Sequence, residues 1–202
     1  GCSDGTARTL TNAVTLAGDV DMGYSSGALT LTAPVQMQGN RRVHLVSGSS
    51  PVVLTFSGGL QEDAAGRNFT LTGGSGSGQY GAYGRLDLNG AAWSGLTRVN
   101  GSTLRVLSNL NATVGIEVNK AAASARATLE LYNAQNDKIP DNLPLDLRGG
   151  CVKVAGPAYA NVSETLGTVR LHPGESMLQA NPYYSQATLV VSGLLLVGVF
   201  CG

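Results

Sequence analysis

Charge is scarce in this chain of 202 residues: only 13% of them are Asp, Glu, Lys or Arg, against about 25% in an ordinary soluble domain. Thirteen basic and thirteen acidic side chains cancel. No field of one sign exists to gather nucleic acid or an anionic membrane surface, so neither is expected as a partner. Aromatics make up 5%. Long apolar runs are also lacking. The strongest, Ala187 to Phe200, is fourteen residues long and is interrupted by Ser192, Gly193 and Gly198, too short for a helix to span a bilayer. The opening Gly1-Cys2-Ser3-Asp4 is polar and has no signal-peptide character, so the chain is read as mature or as excised from a longer one, and as secreted or displayed at a cell surface.

Cysteine is nearly absent. Cys2, Cys151 and Cys201 allow one intrachain disulfide and leave one thiol over, which in a secreted chain suggests a bond between subunits. Helix signals are missing too. The only stretch that invites one, Lys120 to Arg126, is Ala-rich without a staggered apolar face and is read as a loop or single turn.

What is abundant is glycine, 28 residues, and short runs in which aliphatic and polar residues alternate. They include Leu29-Thr30-Leu31, Val52-Val53-Leu54-Thr55-Phe56, Leu86-Asp87-Leu88, Leu104-Arg105-Val106, Leu129-Glu130-Leu131 and Val169-Arg170-Leu171. Period-two alternation bounded by Gly, Asn, Asp, Ser and Pro marks half-buried strands. Turn signals every ~8 to 15 residues fit either a β-sandwich or a β-solenoid. One phrase recurs, a small or polar residue followed by aliphatic, polar, aliphatic, and each rung of a solenoid meets the environment of the rung before it. The expectation is one all-β domain over residues 1–202, with a 187–202 strand segment devoted to assembly and β-sandwich as the alternative. About 20 residues per turn would give roughly ten rungs and a rod of ~50 Å. Leu29, Leu31, Leu86, Leu88, Leu104, Val106, Leu129 and Leu131 are expected to share one interior column, and 133–142 and 155–165 to be surface excursions.

Several phrases resemble the autotransporter-associated β-strand repeats of large bacterial surface proteins. They are Leu10-Thr11-Asn12-Ala13-Val14-Thr15-Leu16, Leu54-Thr55-Phe56-Ser57-Gly58, Asn100-Gly101-Ser102-Thr103-Leu104-Arg105-Val106, Ile139-Pro140-Asp141-Asn142-Leu143-Pro144-Leu145 and Glu164-Thr165-Leu166-Gly167-Thr168-Val169. The resemblance spans most of residues 9–193 and implies a right-handed parallel β-helix serving as an adhesin or filament component. The chain departs from such passengers in its three cysteines and its apolar ending.

Chemistry-bearing residues are sparse. Gly76-Ser77-Gly78-Gln79-Tyr80-Gly81 fits a dinucleotide-loop pattern, but a strand follows it, and without a helix N-terminus no amides converge on a pyrophosphate. Asp19/Asp21, Asp137/Asp141 and Asp87 are the carboxylates weighed for glycan cleavage or calcium; solvated turn carboxylates are the preferred account. His44 and His172 lack a nucleophile motif and are read as surface or edge residues. No metal site, cofactor or catalytic residue is assigned. Asn68, Asn100, Asn111 and Asn161 each begin an N-x-S/T glycosylation sequon. Trp93 and the tyrosines, among them Tyr132 and Tyr159, are candidates for stacking on surface glycans. Leu194, Leu195, Leu196, Val197, Val199 and Phe200 form the candidate assembly strand. The resulting expectation is a non-enzymatic structural or adhesive fibre subunit or repeat assembling head to tail, with a glycan-binding or glycan-cleaving β-helix as the alternative.

Overall fold

The computed structural model describes residues 5–23, 27–47, 52–75, 84–121, 126–132, 137–157, 159–181 and 186–198. Among them there is no helix, and every pairing between strands is parallel. The chain is therefore a β-solenoid, and the sandwich, which needs antiparallel ladders, is excluded.

Each coil lays strands on the same faces as the coil before. The first face carries eight strands, Arg8–Leu10, Leu29–Leu31, Val53–Phe56, Arg85–Leu88, Thr103–Val106, Thr128–Tyr132, Cys151–Ala155 and Met177–Asn181, stacked in that order. The third face also carries eight: Val20–Gly23, Arg41–Ser47, Phe69–Ser75, Leu96–Asn100, Gly115–Asn119, Leu145–Arg148, Val162–Leu171 and Ala187–Leu196. Between them a second face has only four short strands, Val14–Leu16, Val35–Met37, Leu60–Glu62 and Ala91–Ala92.

Eight strands per long sheet, not ten, follow from uneven coil length. Leu86 stands 32 residues after its partner Leu54, and Leu104 only 18 after Leu86. Seven steps of ~4.8 Å separate the first strand from the last, about 34 Å.

Strict register turns alternation into columns. On the first face Leu31, Phe56, Leu88, Val106, Leu131 and Val154 stack inward, beside Leu54, Leu86, Leu104, Leu129 and Val152. On the third face Val20, Val43, Leu71, Val99, Val118, Leu147, Leu171 and Leu196 form one aliphatic column through all eight strands. Of the aliphatics expected in the interior, Leu31, Leu86, Leu88, Leu104, Val106, Leu129 and Leu131 are buried. Leu29 is half-buried, because it lies one strand from the open N-terminal end.

After Ala91–Ala92 the second face gives way to side chains. Trp93 is buried with its ring tilted on Phe69, centroids 5.1 Å apart. Its indole N–H donates to Thr97 Oγ1 at 3.0 Å, and Thr97 meets Thr113 Oγ1 at 3.0 Å. Irregular segments then fill the same side, where the Leu110 N–H donates to the Lys138 carbonyl at 2.7 Å and Leu110, Ile139 and Leu143 are buried. The expected excursions are corrected accordingly. Ile139 is core, as apolar cover for coils that lack a second strand, while Asp141 and Asn142 are exposed. In the second excursion, Ala155 ends one strand and Val162 opens another. Residues 122–125 and 133–136 lie outside the described residues.

Corners are tight enough to demand glycine. A Cβ on Gly58 would sit 2.2 Å from the Ala33 carbonyl carbon, whereas one on Gly18 would meet nothing within 4 Å. Gly58→Ala is expected to destabilise by roughly 1–3 kcal/mol or more, and Gly18→Ala to stay within about 0.5 kcal/mol. Urea denaturation of the two variants checks the pair.

Candidate functional site

Outward positions of the first face build an ionic ladder. Asp87, Arg105, Glu130 and Lys153 occupy one column on four successive strands, acid and base alternating. Arg85 grips Asp87 through Nε at 2.7 Å and Nη2 at 2.9 Å. Arg105 Nε donates to Glu130 Oε2 at 2.6 Å and lies 3.9 Å from Asp87. Lys153 Nζ donates to Glu130 Oε1 at 2.7 Å. The Arg105 guanidinium also covers the Tyr132 ring, 4.5 Å from its centroid.

Burial alone would push the Glu130 carboxyl up. The hydrogen bonds and charges of Lys153 and Arg105 more than offset that and hold it below the ordinary glutamate range. Beside this ladder runs a cleft of about 350 Å³ floored by Thr103, Arg105, Thr128, Glu130 and Lys153. A second hollow of about 260 Å³ adjoins it through Arg105, Glu130 and Lys153 and continues to Tyr132 and Asn181. Cys151 lines the first, a free thiol that is itself buried, and desolvation raises its pKa.

A second cluster lies on the third face. Asp146 accepts from Arg170 Nη2 at 2.6 Å and contacts His172 Nε2 at 2.6 Å. His172 Nδ1 lies 2.9 Å from Arg148 Nη1. A guanidinium can only donate, so Nδ1 is the acceptor and the proton sits on Nε2, facing Asp146. Burial raises the Asp146 carboxyl, and the His172 and Arg170 hydrogen bonds bring it below its ordinary value.

A third pair is buried. Glu164 accepts the backbone N–H groups of Lys138 and Ile139, each at 3.0 Å, and so pins the segment that replaces the second face. Desolvation raises the Glu164 carboxyl and lowers the Lys138 ammonium.

The residues singled out from sequence do not converge. Asp19 accepts the Arg42 N–H at 2.9 Å, and with Asp21 it flanks the Arg42 guanidinium at 3.5 and 3.7 Å. They clamp one rung to the next. Asp87 belongs to the ladder above, and Asp137 and Asp141 are exposed on the far excursion. His44 contacts Thr72 at 2.8 Å. The expectation that His172 is a bare edge residue is corrected, since Asp146 and Arg148 enclose it. Among the described residues no three of His, Cys, Asp and Glu are grouped for a metal.

Trp93 is removed from the glycan-stacking candidates by its burial, whereas Tyr132 lines the second hollow and Tyr159 is exposed. Of the sequons, Asn68 Oδ1 accepts the Leu96 N–H, Asn100 Oδ1 accepts from Asn119, Asn161 Oδ1 accepts the Gln186 N–H, and Asn111 is exposed in a turn. Cys2, Cys201, Val199, Phe200, residues 76–81 and the remaining tyrosines Tyr24, Tyr80, Tyr83, Tyr183 and Tyr184 lie outside the described residues.

Sequence reading missed Arg105, Glu130, Lys153, Glu164 and Lys138 as a polar architecture. Alternation marked the ladder positions as outward, but which charges meet depends on coil lengths between 18 and 32 residues.

Both ends of the stack are apolar. At the N-terminal end a hollow of about 200 Å³ is lined by Leu10, Val14, Leu16, Val20, Met22 and Leu29 among others. At the C-terminal end Leu194 and Leu196 continue the inward columns of Val169 and Leu171, yet each is 60% exposed.

Compared with protein-family models, curated proteins and solved structures, the chain matches none of them. Fold and site together define a parallel β-solenoid with a charged cleft on one face and apolar edges at both ends.

Acid titration separates the buried carboxylates. Glu130 and Asp146 are held below their ordinary values, so the stability they contribute is present above the carboxylate range and lost as pH falls through their folded values. Glu164 is raised, so its contribution is full in acid and lost as pH rises through its folded value. Glu130→Gln is expected to cost roughly 1–3 kcal/mol at neutral pH, with the deficit shrinking in acid as the unsubstituted protein loses the same interaction. Denaturant melts at the two pH values measure it.

Proposed function

We propose that the chain is a non-enzymatic structural or adhesive unit of an extracellular, cell-surface fibre, akin to the autotransporter-associated repeats, that stacks head to tail. The observation carrying this reading is that inward columns reach both ends of the stack without a cap. Natural solenoids normally close their ends with polar capping segments, because an unpaired edge is a template for another strand. Here Leu194 and Leu196 at one end and the Leu10, Val14 and Val20 hollow at the other are apolar. Covering an exposed leucine recovers up to about 1.5 kcal/mol at ~25 cal/mol per Å². Heterologous contacts of this kind propagate into filaments. A disulfide from Cys2 or Cys201 to the next subunit would lock them.

The absence of catalysis in this reading is supported by how the carboxylates are spent. Asp87 and Glu130, the acids nearest a cleft, are neutralised by Arg85, Arg105 and Lys153, with Arg105 standing between them. Glycan cleavage needs one carboxyl kept protonated beside another left ionised. The cleft itself favours the binding half of the second reading, a glycan-recognising β-helix.

Sedimentation velocity with negative-stain microscopy tests the stacking. Rods that lengthen with concentration are expected from the unsubstituted chain, and monomers from Leu196→Asp, a change at an exposed position. A monomer at every concentration, with or without the substitution, would contradict the reading.

A further inference from the structure

We infer that the cleft on the first face binds the carboxylate groups of an acidic oligosaccharide laid along the stacking axis. The assignment rests on the adhesive side of the reading above and is independent of end-to-end stacking.

The argument starts from which charges a ligand can reach. Formal charges nearly balance in the cleft, but exposure does not follow them. Side chains of Asp87 and Glu130 are 12% and 5% exposed, against 32%, 22% and 26% for Arg85, Arg105 and Lys153. The carboxylates form the floor and the cations the accessible surface. Hydrogen-bonding capacity tells the same story. Among the described residues Arg105 donates to Glu130 through Nε, and Lys153 through one bond of Nζ. A guanidinium carries five N–H donors and an ammonium three, so surplus donors face the cleft while the Glu130 oxygens are already taken.

The ligand class follows from the rest of the lining. Arg105 and Lys153 occupy one column two strands apart, about 9.6 Å at the rung spacing, which suits anionic groups repeating along a chain. Around them stand the hydroxyls of Thr103 and Thr128 and the amide of Gln179, groups that exchange hydrogen bonds with a polyol. An acidic peptide is disfavoured. The floor strands pair on both sides, so no free edge accepts a peptide backbone, and the lining provides no enclosed apolar pocket for side chains.

Isothermal titration of the full chain with an oligogalacturonate hexamer, a neutral hexasaccharide and hexaglutamate decides the matter. The uronate is expected to bind and to weaken with added salt, and the neutral sugar to give no heat. Lys153→Gln, which keeps a donor for Glu130, should weaken uronate binding about tenfold with an unchanged melting curve. Arg105→Lys, which keeps the charge but loses the planar fork, is the second variant and should also weaken it. The inference is overturned if the uronate does not bind, if both variants bind it as the unsubstituted chain does, or if hexaglutamate binds as tightly. Sedimentation of the same samples reports stacking separately.

Discussion

The structure depends on one constraint: each strand must lie parallel and in register on the strand of the same face one coil earlier. Satisfying it pairs every backbone group along the stack and forces side chains of like position into columns. A slip of one residue would turn Leu104 and Val106 outward and carry Arg105 into the interior. The penalty for burying that guanidinium away from Asp87 and Glu130 far exceeds anything a single aliphatic contact contributes. The ionic ladder therefore selects the register more than it adds stability, since a buried ion pair seldom outperforms a well-packed apolar one.

The same constraint explains the change of cross-section along the rod. While the second face has strands, three sheets close the core. Beyond Ala91–Ala92 the chain closes it with Trp93, Leu110, Ile139 and Leu143 instead. Irregular backbone there must find partners, and Glu164 provides two of them by accepting from the 138–139 amides. A carboxylate buried for that purpose is held against desolvation, which is why its pKa rises where those of Glu130 and Asp146 fall.

Local alternation made much of this legible. The phrases around Leu86, Leu104 and Leu129 each named their own inward residues, and their repetition pointed to a solenoid over a sandwich. Coil length did not show, because the loops that lengthen a coil to 32 residues are Gly- and Ser-rich and have no period. Without coil length the pairing of Arg105 with Glu130 and of Asp146 with His172 could not be read. Trp93 was misassigned to a surface for a related reason: nothing in Ala92-Trp93-Ser94 signals that the second face ends there. Lys138 and Glu164 look like solvated charges in sequence, and burial of both is a tertiary outcome.

The claim that the columns run on from one subunit to the next is tested most directly by cross-linking in register. Val197 follows His172 on the outward column that starts at Asp21 and His44. Continued stacking would set Val197 of one copy beside Asp21 of the next at about 4.8 Å, within disulfide range. With Cys2 and Cys201 changed to Ser, a chain carrying Asp21→Cys and Val197→Cys should give a ladder of oligomers on oxidation that collapses with reductant. Monomers alone, or an equal ladder when the second cysteine is moved out of register to Thr188, would contradict the account.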